Sequence, residues 1–342
     1  VGLKLTAPIR HPEELEMLLA AGADEFYCGA VPREWLERFT GAVWLNRRSP
    51  IGGNLETLGD LRRLIDGAHA AGRPVFLTLN APLYADGTLR AVLELARAYR
   101  DAGADALIVA DPGAIVALRE EGIAVPIHLS SLAPALSAEA VAFFADLGVA
   151  RVILPRHLRL AEIASIAERT RGRVELEVFL LNDGCAWEEG TCMTTHHHAV
   201  GALCSGLAGF GHRFEGAGRA LSEAEVASLE RNLSDWHAFV ADLGGHPDRL
   251  SPAGLPYGPC GLCALPAFAR AGIDALKIVG REHAPIRKFL SVKMARAILD
   301  RVRRGEEEAA LVEAAKSIRG DRPSCDSGRF CAYRPGPAGG ID

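Results

Sequence analysis

The chain lacks any uninterrupted apolar run near the roughly 20 residues a helix needs to cross a bilayer, which excludes a helical membrane span. It also lacks an excess of basic charge. Its formal net charge of −5 argues against a broadly basic nucleic-acid surface, although a local basic groove stays compatible with it. The opening VGLKLTAPIR enters a strand-like segment without the pattern of a secretory signal, so a cytoplasmic protein is expected. H-E-x-x-H and G-x-S-x-G are both missing, which removes the zinc-peptidase helix and the serine nucleophile elbow. No glycine-rich phosphate loop is evident: a G-x-G-like match such as GLAGFG at Gly206–Gly211 has no strand before it, as a dinucleotide loop would require.

What is present is core-forming sequence and cysteine. Of 342 residues, 49% are hydrophobic and 24% charged, enough for one large α/β domain or two ordinary ones. Eight cysteines in a cytoplasmic protein point to free thiols or metal ligands sooner than to a disulfide framework.

Short apolar runs alternate with segments of helical periodicity. Strands are predicted at Leu3–Ala7, Glu25–Cys28, Pro74–Leu79, Ala106–Ala110, Pro126–Leu129, Arg151–Leu154, Val174–Leu181 and Ala275–Val279. Helical spacing falls between them at Pro12–Ala21, Leu55–Ala71, Leu89–Ala102, Gly113–Glu120, Ser137–Leu147, Leu160–Arg171 and Leu262–Ala271, with a last helix at His283–Arg304. Several of these helices end in Ala-Gly or Leu-Gly, which suits a left-handed cap. Eight βα units with mostly unbroken apolar strands imply a parallel sheet covered on both faces. The count favours a closed (β/α)8 barrel of the TIM type over a doubly wound open sheet.

Four regions follow. Residues 1–182 form the first part of the barrel, and 183–259 a cysteine- and histidine-rich insertion between strands seven and eight. Residues 260–319 complete the barrel, and 320–342 are a Pro/Gly-rich tail with Cys325 and Cys331. Within the insertion, Ser222–Leu243 reads as an amphipathic helix opened by a capping box of Ser222 and Glu225. A long loop at residues 30–54 carries Arg47 and Arg48.

Barrel sites sit where strands end. Those ends supply Cys28, Asn80, Asp111, Ser130, Ser131, Arg156, Asn182, Asp183, Arg281 and Glu282. Asn80, Asp111, Arg156, Glu177 and Arg281 are the candidate catalytic residues. The arginines suit a small carboxylate because a planar guanidinium binds both of its oxygens. Cys185 and Cys192 are separated by six residues and Cys204 follows after eleven more, while Cys260 and Cys263 form a C-x-x-C. Thiolates at this density suit an iron–sulfur cluster or zinc. His196, His197 and His198 beside them are candidate proton donors or solvated loop residues.

The sequence resembles the collagenase-like peptidase family, peptidase family U32. The resemblance rests on LTAPIRHPEELEMLLAAGADEFYCGA, LEVFLLNDGCAWEEGTC and IDALKIVGRE and covers most of the chain. It implies a barrel-like core and, as in several members, a [4Fe–4S] cluster on four cysteines. Carried over by position, the ligands are Cys185, Cys192, Cys204 and Cys260, with Cys263 close enough to substitute for the last. Cys263, Cys325 and Cys331 are extra to the pattern and could serve a second metal site, with Cys28 as a further candidate. The chain departs from the family at Asp183-Gly184, at His196–His198 and at Val279, where a glutamate is usual.

The resemblance further implies oxygen-independent hydroxylation, in ubiquinone biosynthesis or of an RNA base, with prephenate as oxygen donor. A peptidase, or a non-catalytic cluster-bearing subunit paired with a homologous chain or with itself, are the other readings. Zinc is the alternative occupant of the thiols, and a nucleic-acid substrate gains no support from net charge.

Overall fold

The computed structural model describes residues 2–39, 44–48, 52–185, 188–192, 196–197, 201–202, 213–216, 218–244, 250–251 and 254–333. Cys204, His198 and the GLAGFG run lie outside the described residues. All eight predicted strands form: β1 (Lys4–Pro8), β2 (Glu25–Cys28), β3 (Val75–Leu79), β4 (Ala106–Val109), β5 (Ile127–Leu129), β6 (Arg151–Ile153), β7 (Glu175–Leu181) and β8 (Ala275–Ile278). Every neighbouring pair is parallel, and β8 closes the ring by pairing with both β7 and β1. The closed TIM-type barrel is therefore the fold.

Alternation along each strand sorts side chains between two environments. Outward residues such as Leu5, Phe26, Leu77, Leu107, Val152 and Leu276 join the large core between sheet and helices. Inward residues Tyr27, Phe76, Ala106, Ile108, Ile153, Phe179 and Val279 form a second, small cluster inside the barrel. Each fully buried aliphatic side chain of the outer core contributes about 1.5–3 kcal/mol, so closure is driven from outside. The interior is left free to carry polar groups.

The crossover helices are α1 (Leu15–Ala21), α2 (Arg33–Phe39), α3 (Leu58–Ala70), α4 (Asp86–Asp101), α5 (Pro112–Glu120), α6 (Ala138–Asp146) and α7 (Leu160–Arg169). In the insertion stands α8 (Glu223–Gly244), and α9 (Leu265–Ala271), α10 (Pro285–Arg303), α11 (Glu308–Arg319) and α12 (Arg322–Ser327) follow. The glycines after α1 and α9 cap them with φ of 98° and 78°, as the Ala-Gly pattern predicts. Ser222 and Glu225 form the expected capping box in front of α8. α2 escapes the periodicity reading because Trp35 is its single buried side chain.

Asn182 ends β7 in the left-handed region, at φ 69°. Its side chain donates to Val279 O and to Ser291 Oγ, fixing that conformation. The chain is thereby steered off the barrel into Asp183, Gly184 and Cys185.

Candidate active site at the barrel mouth

At the C-terminal ends of the strands a pocket of about 100 Å³ is lined by Tyr27, Arg47, Arg48, Thr78, Asn80, Ser130, Ser131, Arg156, Phe179, Asp183, Cys185, Glu189, Lys277 and Arg281. That volume holds several water molecules or one small organic acid. A roomier groove of about 380 Å³, bordered by Thr170, Arg173, Glu175 and Asp274, lies at the opposite end. The N-terminal ends of barrel strands serve stability, so the smaller pocket is the candidate site.

Arg281 follows β8 and is buried. Its Nη1 donates to Thr78 Oγ1 at 2.9 Å and Asn54 Oδ1 at 3.2 Å, and Nη2 donates to Asn46 Oδ1 at 3.0 Å. Asn46 in turn donates to Asn54 at 2.8 Å, so two loop amides fix the guanidinium. Gly29 is what lets it come so close: a Cβ there would stand 2.0 Å from Arg281 Nη1. All three acceptors are neutral. Burial draws the pKa of Arg281 below its ordinary value, yet a guanidinium remains a cation.

Of the other pocket arginines, Arg47 donates to the backbone Glu189 O at 3.3 Å, whereas Arg48 and Arg156 are matched by carboxylates. Arg48 reaches Asp183 at 3.2 Å and Glu282 at 3.1 Å. Burial opposes its charge, but Glu282 and Asp183 outweigh it and raise its pKa. Arg156 lies 3.6 Å from the Phe179 ring centre, donates to Asp183 O at 3.1 Å, and stands 3.4 Å from Glu189 Oε2, in ion-pair range without hydrogen-bond alignment. Asp183 also accepts from the ring of the buried His283 at 3.0 Å. Although burial pushes the other way, His283 and Arg48 hold its carboxyl far below the usual range.

Four buried polar atoms of the pocket residues have no hydrogen-bond partner: Asn80 Oδ1, Arg47 Nε, Arg156 Nε and Glu189 Oε1. Asn80 meanwhile donates through Nδ2 to Ser130. Unpaired buried polar atoms are costly, and they mark where a polar ligand would make bonds.

Below the pocket the barrel is filled by charge. Glu177 pairs with Lys277 at 2.8 Å and Arg151 at 3.1 Å, and Arg151 also reaches Glu25 and Glu175. Lys277 Nζ sits 3.8 Å from the Tyr27 ring centre. Burial opposes ionisation of Glu177, but Lys277 and Arg151 prevail and bring its pKa down to about 2. His128 beside them is pushed down to about 3, by burial first and then by Arg151.

Of the five candidate catalytic residues, the structure brings Asn80, Arg156 and Arg281 to one pocket. Asp111 is turned elsewhere: it caps α5 through Gly113 N at 2.8 Å and anchors Tyr84 N at 2.7 Å. Glu177 lies in the ionic layer below. Lys277, Thr78, Asn46 and Asn54 were not anticipated. Lys277 was legible as a charge at an inward position between two outward apolar residues, but the amides, on a long loop, carry no pattern.

The thiols divide. Cys185 lines the pocket, and Cys192 follows a turn at Glu189–Thr191. Cys260 instead lies in register with Cys331 of the tail. Cys28 is buried in the outer core behind β2, where burial raises its thiol to about 12.

A closed parallel barrel with its polar pocket at the C-terminal strand ends defines a TIM-type α/β-barrel protein. More particularly, the chain belongs to peptidase family U32, whose model matches residues 10–332. The tRNA hydroxylation protein P of Haemophilus influenzae is 30% identical over 190 residues, covering 56% of this chain and 38% of that protein. The tRNA hydroxylation protein P2 of Bacillus subtilis is 25% identical over 285 residues, covering 79% of this chain and 84% of the relative. The 23S rRNA 5-hydroxycytidine C2501 synthase of Escherichia coli is 30% identical over 140 residues, 41% of this chain and 20% of that enzyme. The chain thus spans well under half the length of the Haemophilus relative. Among solved structures, the U32 peptidase Mk0906 aligns with a TM-score of 0.43 and 16% identity, over 81% of this chain and 92% of that one. Among the described residues no helix is long and apolar enough to cross a membrane.

Proposed function

We propose that this chain serves oxygen-independent hydroxylation of an RNA base, with a small carboxylate such as prephenate held at the barrel mouth. The observation that carries the reading is Arg281, a buried guanidinium in the pocket whose hydrogen-bond acceptors are all neutral. Such a group is matched when a ligand carboxylate arrives. Asn80 Oδ1 and Arg47 Nε supply an acceptor and a donor for the rest of that ligand. Arg156 and Glu189 line the same pocket, 3.4 Å apart as an ion pair.

The donor chemistry suits a [4Fe–4S] cluster, since soft thiolates gather in the loop that opens beside the pocket. Cys185, Cys192 and Cys204 would hold it, with a fourth thiolate from Cys260 or Cys263. When bound, the cluster supplies one-electron redox chemistry. The chain's own residues do the rest: Arg281 orients the carboxylate, and the Arg48–Asp183–His283 contacts hold the base of the cysteine loop against the barrel.

The test is anaerobic protein, with iron and sulfide measured, incubated with reductant, prephenate and unmodified tRNA or ribosomal RNA fragments. Nucleoside mass spectrometry should show a product one oxygen heavier, dependent on prephenate and lost in Cys185→Ser. Cluster-replete protein that binds prephenate yet modifies neither RNA would overturn the hydroxylation reading.

A further inference from the structure

Five cationic side chains line the mouth pocket: Arg47, Arg48, Arg156, Lys277 and Arg281. Three of them have carboxylates. Arg48 has Asp183 and Glu282, Arg156 has Glu189, and Lys277 has Glu177. Arg281 has only neutral acceptors. Arg47 is the second cation of that kind. Its Nη1 donates to the backbone oxygen of Glu189 at 3.3 Å, while the Glu189 carboxylate stands at Arg156. Its Nε is buried without a hydrogen-bond partner, and among the described residues no carboxylate lies in ion-pair range of it. A carbonyl oxygen satisfies an N–H donor but leaves the guanidinium charge unmatched.

The backbone that carries Arg47 is fixed on both sides. Before it, Leu45 is buried, and its carbonyl accepts from Tyr84 Oη at 2.7 Å and Ala81 N at 3.2 Å. Tyr84 is held in turn by Asp111, which accepts from its backbone N–H at 2.7 Å. Between them, the buried Asn46 accepts from Arg281 Nη2 at 3.0 Å and from Arg48 N at 3.1 Å. One short segment therefore steadies the guanidinium of Arg281 and carries that of Arg47. Fixing two cations before a ligand arrives lowers the entropy cost of holding it at both ends.

We propose that Arg47 is the second anion-binding residue of the mouth, so that the pocket takes a dicarboxylate held at both ends in preference to a monocarboxylate. This deepens the proposed function and rests on its assignment of the first carboxylate to Arg281. A monoanion matches one of the two cations and leaves the buried Nε–H of Arg47 without an acceptor of its own. A dianion matches both. A guanidinium suits the second carboxylate as it does the first, through paired donors on a planar group.

The experiment is calorimetric titration with prephenate, a dicarboxylate, and with phenylpyruvate, which keeps the oxo-acid end and lacks the second carboxylate. The proteins are wild type, Arg47→Met, Arg47→Lys and Arg281→Lys, each checked by thermal melt. Because every protein meets the same two acids, differences of shape between the acids cancel in the comparison. Arg47→Met should weaken prephenate about tenfold or more and leave phenylpyruvate within about twofold, by the strength of a charge-assisted hydrogen bond. Arg47→Lys should recover part of the loss, and Arg281→Lys should weaken both acids. Equal loss for the two acids in Arg47→Met, or loss for neither, would overturn the role of Arg47. If Arg281→Lys still weakened both, the carboxylate at Arg281 would stand. Wild type that binds both acids equally would overturn the dianion, whether or not the variants fold. Wild type that binds neither would take down the carboxylate reading itself, and this one with it.

Discussion

Replacing Arg281 by lysine keeps a cation in the pocket and removes the fork. A guanidinium has five N–H donors. Three of them serve Thr78, Asn54 and Asn46, which leaves two for the oxygens of a carboxylate. A lysine ammonium has three donors from one point and cannot serve Asn46, Thr78 and a ligand fork together. The loss is one charge-assisted hydrogen bond at a buried guanidinium, about 1.5–3 kcal/mol. Affinity should therefore fall about tenfold to a hundredfold. Calorimetric titration of prephenate and simpler dicarboxylates reads this directly, with a thermal melt to confirm that Arg281→Lys folds. Arg156→Lys is the internal comparison: Arg156 is already occupied by Glu189, Asp183 O and the Phe179 face, so its substitution should weaken binding less. Equal affinity of wild type and Arg281→Lys, or tighter dependence on Arg156, would refute the assignment of the carboxylate to Arg281.

Two further outcomes follow from the ionic layer. His128 has its folded pKa near 3 against 6.5 for the free side chain, and Glu177 near 2 against 4.5. Both are depressed, so the unfolded chain binds more protons in these windows, and their stability is complete above pH 6.5 and lost as pH falls toward 2. Urea midpoints of wild type should fall through that range, and His128→Gln should flatten the slope between pH 6.5 and 3; an identical slope in the variant would discount His128. Arg151→Met leaves Glu25 and Glu177 buried with less compensation and should destabilise the fold by about 3–5 kcal/mol in urea unfolding; a change under about 1 kcal/mol would mean that water reaches the layer.

The barrel was legible because strands buried on both faces leave apolar runs that no polar face interrupts. The site was legible where a polar or charged residue stands at the exit of such a run, as Asn80, Ser130, Ser131 and Arg281 do. Glu177 shows the limit. A carboxylate inside an apolar strand reads as chemistry until its partners are known, and Arg151 and Lys277 lie 26 and 100 positions away. Asp111 was decidable locally: an aspartate directly before Pro112 has the form of a helix cap with proline in the first turn, and that is its role here. Asn46 and Asn54 could not be found, because a loop amide acquires its acceptor role only when the barrel brings β8 beside it.

The filled interior makes the barrel a cup with a sealed base. Tyr27, Lys277, Glu177 and Arg151 stand between the mouth pocket and the groove at the far end. Small-molecule screening should accordingly return two populations of hits that do not compete with each other. Acids displaceable by prephenate will belong to the mouth. Compounds that bind in the groove by Arg173 and Asp274 will leave that titration unchanged, and a library ranked by affinity alone would mix ligands of two unrelated surfaces.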